Sequence, residues 1–164
     1  MLQAPIRKSP LVMPLFLAIL LGASALPPAS AQAASEASDG PGQPSAAKVE
    51  ADTYLVEISA GGPYRAGAAG SVKVSLTAKA GFHINDQYPY RFNASAPAEG
   101  VSYPKPVLER ADGQFGEKAA VFQLPFIASH AGQFTVGGVL KLSVCSPTSC
   151  IVQKAPLAVS VTVQ

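Results

Sequence analysis

No tryptophan occurs in the 164 residues of this chain, aromatic residues make up 7% of it, and 13% of its side chains are charged. So little charge excludes a helical bundle or coiled coil, whose solvated faces are rich in Glu and Lys at helical spacing. Apolar residues recurring at the helical period are absent throughout. A basic field is missing too. The formal net charge is +2, and setting aside Arg7 and Lys8, which lie in a segment expected to be removed, leaves ten basic side chains against ten acidic ones. A nucleic-acid binder needs a basic surface that displaces counterions from phosphates, so that class is excluded. No serine–histidine–carboxylate spacing, glycine-rich phosphate loop or paired-carboxylate motif stands out, and hydrolytic or transferase chemistry has no carrier here. Cofactor-binding motifs are likewise not found. Only two cysteines occur, and both methionines fall near the N-terminus, which removes the thioether ligands a copper carrier might use.

What is present begins with a leader. Arg7 and Lys8 form a short positive region, Leu11 to Leu26 is an apolar run, and Ala29-Ser30-Ala31 is a small-x-small cleavage site beyond Pro27-Pro28. Residues 1–31 therefore read as a secretory signal peptide. The apolar run is shorter than the about 20 residues of a spanning helix and carries Pro14, so no membrane span is expected in the mature chain. No cysteine lies near the cleavage site for lipid attachment. Residues 32–48 contain no large apolar side chain before the domain begins and read as a disordered linker. The mature protein is expected to be periplasmic or secreted.

Residues 49–164 show period-2 alternation. Val72, Val74 and Leu76 alternate with Lys73, Ser75 and Thr77, and Phe122, Leu124 and Phe126 with Gln123 and Pro125. Phe134, Val136, Leu140, Leu142 and Val144 share one parity, as do Leu157, Val159, Val161 and Val163. Each pattern places one row of side chains in a core and the other towards solvent. Further strands are expected at Tyr54–Ser59, Tyr88–Ala94 and Val101–Leu108, with Pro104 and Pro106 at an edge or a break. Gly67 to Gly70, Ala80-Gly81 and Ala131-Gly132 punctuate the runs. About seven to eight strands in this length predict an all-β fold, an immunoglobulin-like two-sheet β-sandwich.

The chemistry lies in Cys145-Ser-Pro-Thr-Ser-Cys150. Export places the pair in an oxidising compartment, where it can form a disulfide. Cys145 ends a long strand, Pro147 suits the second position of a β-turn, and Cys150 begins the return. A loop this short contributes roughly 2 kcal/mol in the chain-entropy model. Three readings stand at this point: a structural hairpin bridge, a redox-active bridge, and a metal site that would recruit His83 or His130 to the thiolates. The last has a weak ligand set, so no metal is expected. Lys141 lies four residues before Cys145, roughly 13 Å away at strand rise. Lys154 comes nearer if the chain doubles back.

The run from Gly138 through Cys145-Ser-Pro-Thr-Ser-Cys150 to Val163 resembles the end of the N-terminal periplasmic domain of DsbD, the thiol:disulfide interchange protein. Leu76-Thr-Ala-Lys-Ala-Gly-Phe-His-Ile-Asn85 is similar to the same family's middle strand and following loop, and the likeness spans most of residues 50–164. The resemblance implies an immunoglobulin-like domain that shuttles electrons through its cysteine pair. It implies that Cys150 forms the mixed disulfides and Cys145 resolves them, and that a cap loop shields the pair. The counterpart of that loop falls in Phe82–Phe92, with Phe82, His83, Tyr88 and Tyr90 as candidate shields. One residue fewer separates the cysteines than in the best-known members. The chain carries no transmembrane conduit or thioredoxin-like segment, so the electron partner is expected to be another periplasmic protein. The alternative is a non-catalytic binding or assembly module in which the disulfide pins a hairpin.

Overall fold

The computed structural model describes residues 46–164. The expected leader over residues 1–31, and the linker up to residue 45, lie outside the described residues. Ala46 to Lys48, expected as the end of that linker, belong instead to the domain: the carbonyls of Ala46 and Ala47 accept from the amides of Ala158 and Ile58, each at 2.8 Å.

Among the described residues eleven strands form two antiparallel sheets, in chain order β1 Lys48–Glu50, β2 Tyr54–Ala60, β3 Ala69–Ala78, β4 His83–Ile84, β5 Arg91–Ala94, β6 Val101–Ser102, β7 Val107–Glu109, β8 Gly113–Phe115, β9 Ala119–Ala128, β10 Gly132–Cys145 and β11 Cys150–Val163. One sheet runs β1-β2-β3-β9-β6, with β8 also on β9; the other runs β11-β10-β5-β7, with β4 also on β10. The count exceeds seven to eight because five of the strands are only two or three residues long, too short to leave an alternation signal. The architecture is the expected β-sandwich.

The rows of alternating apolar residues meet in one core. Val56, Ile58, Val72, Val74, Leu76, Phe122, Leu124 and Phe126 come from the first sheet, and Phe92, Leu108, Val136, Leu140, Leu142, Val144, Leu157 and Val161 from the second. Val159, on the same parity as Leu157, is only half-buried. Gly67 and Gly81 have φ of 72° and 81°, the left-handed conformation that turns at those two positions require.

Two expected strands divide. Val101–Leu108 becomes β6, paired with β9 in the first sheet, and β7, paired with β5 in the second. Pro104 and Pro106 lie between them, where the chain crosses from one sheet to the other and no ladder donor is needed. Tyr88–Ala94 shortens to β5, because the chain before Arg91 leaves the ladder to form a loop. Among the described residues no helix is long and apolar enough to cross a membrane.

Where β10 passes its neighbours most closely it carries Gly137 and Gly138. A Cβ on Gly137 would fall on the Leu157 carbonyl oxygen and 2.8 Å from the Ala158 Cα. Gly137→Ala should therefore lower the unfolding free energy by about 1–3 kcal/mol, as overpacking does. A urea titration reads the shift, and an unchanged midpoint would mean that β11 yields at Leu157.

Candidate functional site

The β10–β11 hairpin ends in the cysteine pair. Its register runs without interruption from Gly132↔Val163 to Cys145↔Cys150. The two cysteines are thus direct cross-strand partners, joined by a disulfide, with Cα atoms 4.0 Å apart. The tip is closed by the turn Ser146-Pro147-Thr148-Ser149. The Ser146 amide donates to the Ser149 carbonyl at 2.7 Å, and the Ser146 hydroxyl accepts from the amides of Thr148 at 3.3 Å and Ser149 at 3.1 Å. Pro147 occupies the second turn position, as its fixed φ favours.

The two sulfur-bearing residues differ in access. Cys145 is 5% exposed, whereas Cys150 belongs to the exposed class. The difference follows from position. Cys145 sits on an interior strand, flanked by β11 on one side and β4 on the other, while Cys150 lies on the outer strand. Their side chains share the outer face of the sheet, since Leu140, Leu142 and Val144, of the opposite parity, fill the core.

The segment expected to act as a cap does something more specific. His83 in β4 is the direct register partner of Cys145, and Ile84 that of Val144. Residues opposite one another in adjacent strands share a face with Cβ atoms about 4.5–5.5 Å apart, which puts His83 on the same face as Cys145; His83 also borders a cleft with Asp86, Arg110 and Glu117. Ile84 enters the core, and its amide donates to the Glu117 carbonyl at 2.8 Å, tying β4 to the turn before β9.

Asn85 then turns the chain outward. Its Oδ1 accepts from the Gln87 amide at 3.1 Å, and its Nδ2 donates to the Ser143 hydroxyl at 3.2 Å. Tyr90, at 1% exposure, is a core residue. Its hydroxyl donates to the Ser143 carbonyl and accepts from the Asn85 amide at 3.1 Å. Its ring packs on Tyr88 and Phe115, with centroids 5.1 and 4.9 Å away. Tyr88 borders a groove on the outer face with Lys141, Val152, Gln153 and Lys154. Phe82 packs half-buried against the core. Of the four candidate shields, only His83 is a register neighbour of a cysteine, and Cys150 stays exposed.

His130 lies just before the opposite end of β10, with its ring 5.1 Å from that of Phe134. The fold therefore does not bring the two histidines together at the cysteines. Among the described residues no group of three or more His, Cys, Asp or Glu is arranged to hold a metal ion. Alternation alone did not reveal that Lys141 and Lys154 are direct cross-strand partners. The signal was available: folding the chain about Pro147 and Thr148 pairs residues symmetrically, and Lys141 and Lys154 are each four positions from their cysteine. Compared with known proteins, the chain matches no family model, no curated protein and no solved structure.

Tyr90 gives this region a titration signature. Burial pushes its phenol up to about 12, against the opposing hydrogen bonds of Asn85 and Ser143. The unfolded chain ionises a tyrosine near pH 10. The resulting stability is complete below about pH 10 and is lost as pH rises towards 12, because the unfolded state releases its proton first. Tyr54 and Tyr103 are shifted in the same direction by burial. Tyr90→Phe should cost about 0.5–1.5 kcal/mol at neutral pH, since it removes one of the two donors to the Ser143 carbonyl and leaves the Asn85 amide in place, and should flatten part of the alkaline decline. Thermal unfolding at pH 7 and at pH 10.5, the latter about half a unit above the free phenol, checks both effects.

Proposed function

We propose that this domain performs thiol–disulfide exchange with a periplasmic protein partner through the Cys145–Cys150 pair. The resemblance to the N-terminal domain of DsbD implies this activity, and the supporting observation is the asymmetry of the pair: an exposed Cys150 bridged to a buried Cys145. Their bridge joins residues that the β10–β11 ladder already holds opposite one another. As a staple it closes only a short loop, worth roughly 2 kcal/mol, so its position at a reachable tip favours chemistry over stability.

In the exchange, a partner thiolate attacks the Cys150 Sγ. The electron pair of the Cys145–Cys150 bond departs on Cys145, and a mixed disulfide forms between Cys150 and the partner. A second partner thiol attacks its own sulfur in that mixed disulfide and expels Cys150. The partner ends as a disulfide and this chain as a dithiol, with two electrons and two protons transferred. The reverse sequence reduces an acceptor's disulfide. His83 would stand beside Cys145 as it leaves and supply the proton its thiolate takes up. Cys145 would resolve the mixed disulfide when the partner lacks a second thiol.

Cys145→Ala should accumulate a covalent adduct on Cys150 in a periplasmic extract, and Cys150→Ala should not. Thiol trapping across a glutathione series should give a reduction potential above about −250 mV. One below about −300 mV would identify a structural bridge and leave the binding module as the function. His83→Ala should slow reduction of the disulfide several-fold and change its pH profile, with the unfolding midpoint little moved. An unaltered pH profile would remove His83 from the mechanism.

A further inference from the structure

Strand β11 is the edge of its sheet, and its register determines which of its backbone groups face outward. The Ala158 amide donates away from β10, to the Ala46 carbonyl at 2.8 Å. In an antiparallel ladder the direction alternates, so the even-numbered residues of β11 turn N–H and C=O outward. The bond from the Ser146 amide to the Ser149 carbonyl agrees, placing odd-numbered residues inward. Pro156 falls in the outward set, where its missing N–H costs no ladder bond. Nearer the tip, Cys150, Val152 and Lys154 present outward N–H and C=O groups that pair with no other backbone group among the described residues.

The side chains of these three residues project from the outer face of the sheet. Val152 is 57% exposed. Beside it lies the groove of about 520 Å³ bordered by Tyr88, Lys141, Gln153 and Lys154, which contains two ammonium groups and no carboxylate. Lys141 and Lys154 stand directly opposite each other, an arrangement that like charge makes unfavourable. Neither forms an ion pair among the described residues, while Glu109 on the same sheet is engaged by Arg91 at 2.7 Å. A single lysine on an edge strand can serve to discourage strand addition. Lys141 lies one strand inward and does not border the edge, so the pair points to an acidic group from outside.

We propose that the free edge of β11 is the docking surface for the exchange partner, which adds an extended acidic segment as a further strand. Such a segment would place a cysteine opposite Cys150, an apolar residue opposite Val152 and an Asp or Glu opposite Lys154. Strand addition supplies main-chain hydrogen bonds for affinity and alternate side chains for specificity. Run antiparallel, the partner reads acid-x-apolar-x-cysteine; run parallel, the order reverses. This inference rests on the exchange reading.

The test uses the oxidised full chain and synthetic peptides whose thiol reduces its disulfide, with dithiothreitol as an uncharged reference. A peptide of the acid-x-valine-x-cysteine pattern should react at least about tenfold faster than its lysine counterpart, as charge steering allows. Methylating the peptide amides that face β11 should abolish the advantage. Lys154→Glu should reverse the preference between the acidic and lysine peptides. Equal rates for acidic and lysine peptides, with normal reduction by dithiothreitol, would overturn the docking surface and leave the exchange reading intact. An acidic preference that survives methylation would overturn strand addition. A disulfide that dithiothreitol cannot reduce would overturn both.

Discussion

The antiparallel ladder between β10 and β11 is the constraint on which the remaining structure hangs. It pairs fourteen residues with fourteen, from Gly132↔Val163 at one end to Cys145↔Cys150 at the other. Because side chains alternate, that single register decides at once which residues fill the core and which face outward. Leu140, Leu142 and Val144 go inward, which leaves Lys141, Ser143 and Cys145 on the outer row. A slip of one position would bury Lys141 and separate the cysteines. The core thus protects the position of the disulfide, although the disulfide contributes little to the core.

The other edge of β10 is divided between two short strands, and that division shapes the site. β5 takes Gly138 to Lys141 and β4 takes Val144 and Cys145. The chain between them bulges away at Ser143, whose carbonyl receives the Asn85 amide and the Tyr90 hydroxyl. Ser143 is fully buried on the outer row, between half-buried Lys141 and buried Cys145, and its carbonyl and hydroxyl are engaged by this loop. The loop accordingly buttresses the strand that carries Cys145.

The long elements were legible because their alternation is strict. The rows through Val72, Phe122, Phe134 and Leu157 each occupy the face that their parity assigns. The short strands were not legible, since two or three residues such as His83-Ile84 or Val101-Ser102 carry no period. Their pairing is decided by what lies beside them in space. The burial of Tyr90 was not legible for a related reason: an aromatic residue next to Pro89 in a polar stretch reads as a loop residue, and its hydroxyl turns inward to the buried Ser143 carbonyl. The cysteine pair was plain from spacing and turn chemistry. The placement of His83 beside it and of Lys154 opposite Lys141 depended on register, which the hairpin's symmetry fixes for Lys154 and which nothing local fixes for His83.

The chain joins the domain at Ala46, whose carbonyl bonds Ala158, and Ala158 lies eight positions along β11 from Cys150. At strand rise that separation is roughly 26 Å. A fluorophore or an electrode linkage introduced at Ala46 would therefore attach at a distance from the sulfur pair. The fold thus separates the start of the domain from the disulfide tip by most of the length of one strand, so that a surface attachment at Ala46 leaves Cys150 accessible.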